Sequence, residues 1–219
     1  GLPVGSSGNV SLIGHEMGHQ FGASHTQNSA CNRSPQDAVE PGSGVTIMSY
    51  NGVCPPNNTV PIGELRFHSA SLAAMNAYIA SQACQVSTAS GNSAPTVDAG
   101  PDRTIPLNTP FTLTAVGSDA NAGDLPNLTY AWEQVDPGQL TALSTDFPNP
   151  PFQDQPGDPV TTTRPILTAL ATSTSPSRTF PRMGYVLNNA NDPPDQVNGL
   201  FTAEELPRVA RTLNFRVTI

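Results

Sequence analysis

Three histidines and a glutamate near the start of the chain have the spacing of a metal site. They lie in the stretch GHEMGHQFGASHT, residues 14–26. His15 and His19 are four residues apart, so that on a helix their side chains lie on one face, one turn apart. Gly22 can turn the chain at positive φ, which would bring His25 round as a third ligand. Three neutral imidazoles and a water make an open tetrahedral zinc site of the catalytic type.

The glutamate inside this stretch gives the site a hydrolytic chemistry. Zinc lowers the pKa of a bound water to about 7 and polarises a carbonyl as a Lewis acid. Glu16 points to a side of the helix next to that of His15, where its carboxylate could accept the proton of the attacking water and pass it to a leaving amine. The pattern therefore predicts peptide-bond hydrolysis. A helix with incidental histidines is disfavoured, because three of the four histidines of the chain fall inside the motif.

The motif resembles the zinc-binding sequence of the metzincin metallopeptidases, HEMGHQFGASH being followed by a candidate methionine turn. That turn is TIMSY, in which Met48 lies 23 residues after His25. The resemblance implies that Met48 forms a hydrophobic floor under the ligands without binding the metal. Among metzincins, the chain is most similar to reprolysin-like peptidases secreted by bacteria. The similarity lies in the stretches HEMGHQFGASHT, IMSYNGVC and FHSASLAAMNAYI.

Two positions depart from the reprolysin pattern. Typical reprolysins have aspartate after the third histidine, and this chain has Thr26. Tyr50 stands two residues after Met48, as a tyrosine does in astacin-like and serralysin-like enzymes, where it can assist the transition state. The resemblance suggests a catalytic role for Tyr50, and a tyrosine that only packs at the turn is the alternative.

The three cysteines fit an oxidising compartment, in which an odd count implies one pair and one cysteine with a partner elsewhere. Three reduced thiols are the alternative. Within the metzincin resemblance, Cys31 and Cys54 flank the methionine-turn segment and could form a disulfide, and Cys84 would pair with a cysteine upstream of Gly1. His68 lies outside the motif, and we interpret it as a capping or core residue before a second helix.

Helical periodicity is present on both sides of an irregular segment, residues 26–67. Asn9 is a candidate N-cap of the first helix and Gly22 a candidate stop. The apolar residues of this helix predict one buried face, made of Val10, Ile13, Met17 and Phe21. The stretch SASLAAMNAYIASQAC predicts a second helix, whose residues Leu72, Met75, Ile79 and Ala83 are spaced for packing.

Residues 85–94, QVSTASGNSA, have the composition of a linker, and the period changes to two beyond them. FTLTAV, LTYAWEQ and TLNFRVTI alternate between apolar and polar residues, as half-buried strands of an antiparallel sandwich do. Trp132, the only tryptophan, is expected to pack between the two sheets. Residues 95–219 resemble the Ig-like and PKD-like β-domains of secreted bacterial enzymes, which serve as spacers or bind substrates and surfaces.

The predicted fold class is therefore α+β, with three parts. Residues 1–84 are expected to be the C-terminal part of a metzincin catalytic domain, comprising zinc helix, methionine turn and second helix. Residues 85–94 are the linker, and residues 95–219 an incomplete β-sandwich. Both ends look cut, because the chain starts at Gly1 rather than Met and ends inside a strand pattern. The substrate-aligning upper subdomain of metzincins would precede this sequence, which leaves open whether the chain binds zinc or cleaves peptides alone.

Composition restricts the partners. The formal charge is −8, and all nine basic residues are arginine. This excess of negative charge argues against nucleic acids and anionic membrane surfaces as binding partners. No apolar run approaches the roughly 18 residues of a membrane span. Asp119 and Asp124, in GSDANAGD, could contribute to a calcium site, although a solvated loop is the simpler interpretation.

The sequence thus predicts a secreted zinc endopeptidase that acts on extracellular proteins. The oligomeric state stays open. The alternatives are a non-enzymatic binding or adhesive module with an inactive peptidase remnant, and a zinc hydrolase of amides other than proteins. The presence of Glu16 beside all three ligands favours an enzyme, since a degenerate site is free to lose its general base.

Overall fold

The computed structural model describes residues 7–29, 31–55, 57–59, 63–84, 86–138, 164–194 and 196–219. The helices are α1 (Ser7–Gln20), α2 (Ser69–Ser81) and α3 (Met183–Leu187), with a 3₁₀ helix at Leu125–Asn127. The strands are β1 (Thr96–Asp98), β2 (Phe111–Thr114), β3 (Val116–Ser118), β4 (Ala131–Gln134), β5 (Ser177–Phe180), β6 (Gln196–Val197), β7 (Leu200–Phe201) and β8 (Phe215–Thr218). Within the described ranges, no helix is both long and apolar enough to cross a membrane.

Helix α1 ends in a Schellman turn at the predicted glycine. Gly22 has φ +85, and its N–H donates to the carbonyl of His19 at 3.0 Å. The N–H of Ala23 donates to the carbonyl of Gly18 at 2.9 Å, which completes the pair of bonds typical of this motif. The predicted stop is therefore confirmed. The predicted N-cap is wrong, because Asn9 lies inside a helix that already includes Ser7.

The apolar stripe of α1 does not form the predicted buried face. Val10, Ile13, Met17 and Phe21 are between 42% and 61% exposed. The face that packs instead contains Gly14, His15 and Gly18, which lie against the methionine turn. The two glycines allow α1 and the methionine turn to approach each other closely. The side of α1 with the least apolar area is therefore the buried one. Periodicity located the stripe correctly, but it could not identify the face that packs.

Helix α2 begins as predicted and ends earlier. His68 is its N-cap: the side chain is 1% exposed and accepts a hydrogen bond from the N–H of Ala70 at 3.1 Å, which confirms the capping interpretation. Met75 packs on the core formed by Ala23, Ile47 and Met48. The packing prediction is wrong for the others, since Leu72 and Ile79 are 37% and 40% exposed and Ala83 is exposed beyond the end of the helix.

The segment between the helices is irregular, as predicted, and carries a disulfide. Cys31 and Cys54 are bonded, with their Cα atoms 5.9 Å apart. Cys84 is a free, exposed thiol in this chain, and its pairing with an upstream cysteine stays a prediction. The disulfide links two stretches of the segment 23 residues apart in sequence, one of which contains the methionine turn.

The strands form four antiparallel pairs, which are β1–β3, β2–β5, β4–β8 and β6–β7. Phe111 pairs with Phe180 in β2–β5, and Trp132 pairs with Val217 in β4–β8. A mixture of helices and antiparallel strands is compatible with the predicted α+β class. Each described pair is smaller than a sheet of a sandwich, and the Ig-like or PKD-like architecture stays a prediction.

One apolar core joins three of these pairs, β1–β3, β2–β5 and β4–β8. Its buried members are Ala115, Trp132, Ile166, Leu167, Phe180 and Val217. Trp132 is 5% exposed and donates from Nε1 to the carbonyl of Pro176 at 2.9 Å. A buried indole needs such an acceptor for its N–H. The tryptophan is therefore a core residue of the strand region, and its packing between the two sheets of a sandwich stays a prediction.

The strand region also contacts the helical region directly. Glu133, on β4, has a fully buried side chain that pairs with Arg66 and accepts a hydrogen bond from the N–H of Ser69 at 2.6 Å. The second guanidinium nitrogen of Arg66 donates to the carbonyl of Leu170 at 2.6 Å. All four residues of β4 are buried, because one face lies on the strand core and the other lies against the start of α2.

Candidate metal centre

The structure brings the three motif histidines together. His15 and His19 lie on one side of α1, and the Schellman turn places His25 opposite them. One ring nitrogen from each forms a group whose members all lie within 4.8 Å of one another. The Nε2 atoms of His19 and His25 are 3.1 Å apart. In the described part of the chain this is the one group of three such side chains able to hold a metal ion.

The second ring nitrogen of each histidine is held by a backbone carbonyl. The Nδ1 atoms of His15, His19 and His25 lie 2.7, 2.8 and 2.7 Å from the carbonyl oxygens of Ile47, Ala23 and Asn32 respectively. A carbonyl can only accept, so each neutral ring carries its proton on Nδ1. Each Nε2 then presents a lone pair to the common centre. Metal-binding histidines are oriented in this way by outer hydrogen bonds.

The donor set fits zinc. Two nitrogens at about 2.0–2.1 Å from one tetrahedral zinc are roughly 3.3–3.4 Å apart, close to the separation of His19 and His25. Two ring lone pairs that face each other at 3.1 Å repel unless a cation lies near both. Burial also favours the ligand form, because desolvation holds the pKa of His25 below its usual 6.5, and the neighbouring His15 and His19 lower it further.

Glu16 belongs to the same helix as the first two histidines. Its side chain is exposed on α1, directly after His15. It is close enough to His25 for its negative charge to oppose the lowering of the histidine pKa. A carboxylate beside the metal centre and in contact with solvent can accept a proton from a water there. The position agrees with the general-base role that the motif predicts, and that role stays a prediction.

Tyr50 lies beside the histidines. Its ring centroid is 4.7 Å from that of His25 and 5.9 Å from that of His15. Its hydroxyl accepts a hydrogen bond from Nδ2 of Asn32 at 3.0 Å. Because the oxygen accepts from Asn32, the phenol proton remains free to donate to another group. This position agrees with the catalytic contribution suggested for Tyr50, which stays a prediction.

Met48 lies beneath α1. The side chain is fully buried, and a Cβ added at Gly18 would overlap with its sulfur atom. Its carbonyl accepts from the N–H of Thr26, next to His25, at 3.1 Å. Phe67 packs on the same cluster. The floor that the resemblance implies for Met48 thus has a counterpart in its position under α1.

Sequence reasoning missed Asn32, which contacts two predicted site residues. Its carbonyl holds His25 and its side-chain amide holds Tyr50. The backbone of Asn32 has φ +51, a conformation that asparagine tolerates better than most residues. That tolerance was the one available signal. The carbonyls of Ala23 and Ile47 gave none, because every residue has a carbonyl.

The calcium prediction gains no support. Asp119 accepts a hydrogen bond from the N–H of Asn121 at 2.7 Å, as residues in a solvated turn do. Asp124 is exposed. Within the described residues, neither belongs to a group of three or more side chains placed to bind one ion.

Comparison with known proteins finds a similarity over part of the chain. Residues 3–78 match the family model described as metallo-peptidase family M12B, reprolysin-like. The match covers about a third of the chain and includes all three histidines, Glu16 and Met48. Neither the curated proteins nor the solved structures gave a match. The reprolysin-like resemblance is confirmed for this range and indicates metallopeptidase activity, whereas the bacterial secreted type and the β-domain assignment stay predictions.

Proposed function

We propose that the reprolysin-like range, residues 3–78, forms the metal centre of a zinc-dependent endopeptidase. The observation that carries the proposal is the set of three imidazoles whose Nδ1 atoms are all held by carbonyls, so that three lone pairs converge. His15, His19 and His25 bind the ion. Gly22 makes the turn that brings in the third ligand, and Met48 supports the group from below.

The residues around the ion divide the work of peptide hydrolysis. Zinc, when bound, supplies a Lewis acid that activates water and polarises the scissile carbonyl. Glu16 accepts the proton of the attacking water and delivers it to the leaving amine. Tyr50 donates its phenol hydrogen bond to the carbonyl oxygen as negative charge develops there. Asn32 holds the hydroxyl of Tyr50 in place for this step.

The substrates we propose are proteins or peptides outside the cell. The support is the metallopeptidase family match together with the Cys31–Cys54 disulfide, a bond that persists in oxidising compartments. The acidic charge of the chain gives no basis for a nucleic-acid partner.

We propose that the parts of the chain are a peptidase part at 1–84, a linker at 85–94 and a β-sandwich related to Ig-like and PKD-like domains at 95–219. The β-part serves as a stabilising module. Support comes from the alternation of its strands and from the contacts of Glu133 with Arg66 and Ser69, which attach β4 to the start of α2.

Zinc content and peptide cleavage test the proposal on the 219-residue chain. We expect one zinc per chain in the wild type and in Glu16→Ala, and none in His19→Ala. Cleavage of a peptide library should fall by about 10²–10⁴-fold in Glu16→Ala. If the wild type and Glu16→Ala both bind zinc and cleave the peptide library equally well, Glu16 takes no part in the mechanism. Zinc binding without cleavage in either would leave the metal site standing without support for peptide hydrolysis by this chain alone, and absence of zinc would overturn the metal site itself.

A further inference from the structure

A buried carboxylate outside the zinc motif holds the segments on which two of the ligands depend. Glu40 is fully buried, and its two oxygens accept four hydrogen bonds. Oε1 accepts from the hydroxyls of Thr26, at 2.6 Å, and Thr46. Oε2 accepts from the N–H groups of Val45, at 2.8 Å, and Thr46, at 3.1 Å.

This arrangement is unusual for a fully buried glutamate. A buried charge is ordinarily compensated by an ion pair as well as by hydrogen bonds. None of the ion pairs among the described residues includes Glu40, whereas Glu133 and Glu204 both pair with arginines. Among the residues that the structure describes, the Glu40 side chain is therefore held by hydroxyl and amide donors alone. Its side chain serves to bring those donors together.

The donors belong to two separate stretches, and each stretch contacts a ligand. Thr26 directly follows His25, and its backbone bonds both to Met48 and to the backbone of Glu40. Thr46 directly precedes Ile47, whose carbonyl lies 2.7 Å from Nδ1 of His15. One carboxylate thus connects the backbone beside the third ligand to the carbonyl that orients the first.

We propose that Glu40 is a positioning residue of the metal centre, acting on His25 through Thr26 and on His15 through the backbone from Val45 to Ile47. This inference rests on the proposed zinc site. Loss of the carboxylate leaves the three histidines in the chain but releases the two stretches that aim their ring nitrogens. Zinc affinity and coordination geometry then suffer without the loss of any ligand.

The test compares metal binding in the 219-residue chain and its variants. Zinc affinity is measured by competition with a chelator, and Co²⁺ is used as a probe because its visible absorption reports tetrahedral geometry. We expect Glu40→Gln to weaken zinc binding by about 10–100-fold and to reduce the tetrahedral Co²⁺ absorption. Thr26→Val, which removes one donor, should weaken binding less, and Thr26→Ser, which keeps the hydroxyl, should bind like the wild type.

A matched control separates positioning from general loss of stability. Glu204 is also a fully buried glutamate, but its partners Arg178 and Arg182 lie in the strand region. Glu204→Gln should lower the melting temperature and leave zinc affinity unchanged.

Each outcome has a distinct meaning. Wild-type affinity in both Glu40→Gln and Thr26→Val would overturn the inference and leave the zinc site standing. An equal loss of affinity in Glu204→Gln would also overturn it. If Glu40→Gln does not fold, the comparison of Thr26→Val with Thr26→Ser decides. Absence of zinc from the folded wild type would overturn the proposed function together with this inference.

Discussion

At the scale of the residue, the predicted ligands were found at one centre, whereas the atoms that orient them were not predictable. The four-residue spacing alone places His15 and His19 on the same side of a helix, because the helical repeat is fixed. The carbonyls that hold the three Nδ1 atoms come from distant positions such as Ile47. Thr26, the departure from the reprolysin pattern, carries no charge, and the carboxylate that it contacts comes from Glu40.

Tyr50 gives a first test at this scale. Tyr50→Phe keeps the ring beside His25 and removes only the hydroxyl that accepts from Asn32. If the phenol stabilises the developing charge, kcat should fall by about 10²-fold with zinc content unchanged. Steady-state cleavage of a peptide substrate measures this. Unchanged kcat would leave Tyr50 as a packing residue at the turn.

Substitution of two glycines of α1 by alanine gives a second test, because the two variants should change the stability of the chain in opposite directions. A Cβ at Gly18 would overlap with the sulfur of Met48, so Gly18→Ala should displace the floor and destabilise the chain by about 1–3 kcal/mol. A Cβ at Gly14 would lie 3.5 Å from Ile47, an ordinary contact. Gly14→Ala should therefore stabilise by roughly 0.5–1 kcal/mol, because glycine is a poor helix former. Urea unfolding compares the two, and equal effects would contradict a close packing of α1 on Met48.

At the scale of the element, helices and strands were predictable in type but not in orientation. The apolar stripe of α1, from Val10 to Phe21, correctly predicts a helix. It does not predict which side of that helix packs on the rest of the chain, and the stripe itself is exposed. The face of α1 that carries Gly14 and Gly18 meets the methionine turn, and at Gly18 a Cβ would overlap with the sulfur of Met48. Leu213 and Val217, by contrast, contribute to the core as their alternation predicts, since a strand with one buried face offers no other choice.

The disulfide allows a prediction at this scale. Cys31 directly precedes Asn32, whose carbonyl orients His25. Replacing Cys31 and Cys54 together by serine should lower the free energy of unfolding by about 3 kcal/mol, from the entropy of a loop this long. Zinc binding should also weaken, because the Asn32 carbonyl loses its anchor. Chelator competition and urea unfolding measure the two effects.

The third cysteine supplies the control for the disulfide. Cys84 is exposed and forms no disulfide in this chain, so that Cys84→Ser should change neither quantity. A double Cys31→Ser, Cys54→Ser variant that is less stable yet binds zinc with wild-type affinity would show that the disulfide supports the fold and not the ligand.

At the scale of the whole molecule, the sequence predicts two parts and a linker, and it carries no sign of the contacts between them. Strand alternation correctly turns Trp132 toward the strand core, but the next residue, Glu133, belongs to the opposite face. From the sequence alone, a charged residue on that face is expected to be exposed to solvent. Glu133 is buried instead because Arg66 and the start of α2 supply its partners, and those lie more than 60 residues earlier in the chain.

The contact of Glu133 with α2 makes stability dependent on pH. Burial by itself raises the pKa of this carboxyl, but His68, Arg66 and the hydrogen bonds from Arg66 and Ser69 together hold it below its usual value. A carboxyl whose pKa is lower in the folded state stabilises the fold above its unfolded pKa, near 4.5. That contribution is lost as the pH falls through the folded-state pKa. Glu133→Gln should therefore cost about 3 kcal/mol at pH 7 and progressively less below pH of about 4.5.

Urea unfolding of both proteins between neutral and acid pH measures this difference, and a surface pair provides the control. Asp192 forms an ion pair with Arg208 at 2.6 Å, but its side chain is 57% exposed. Asp192→Asn should change stability by less than about 1 kcal/mol across the same range. A Glu133→Gln effect as small as this would mean that the strand region adds little to the stability of α2. A large effect that vanishes in acid would instead show that the start of α2 depends on a charge supplied by the strand region.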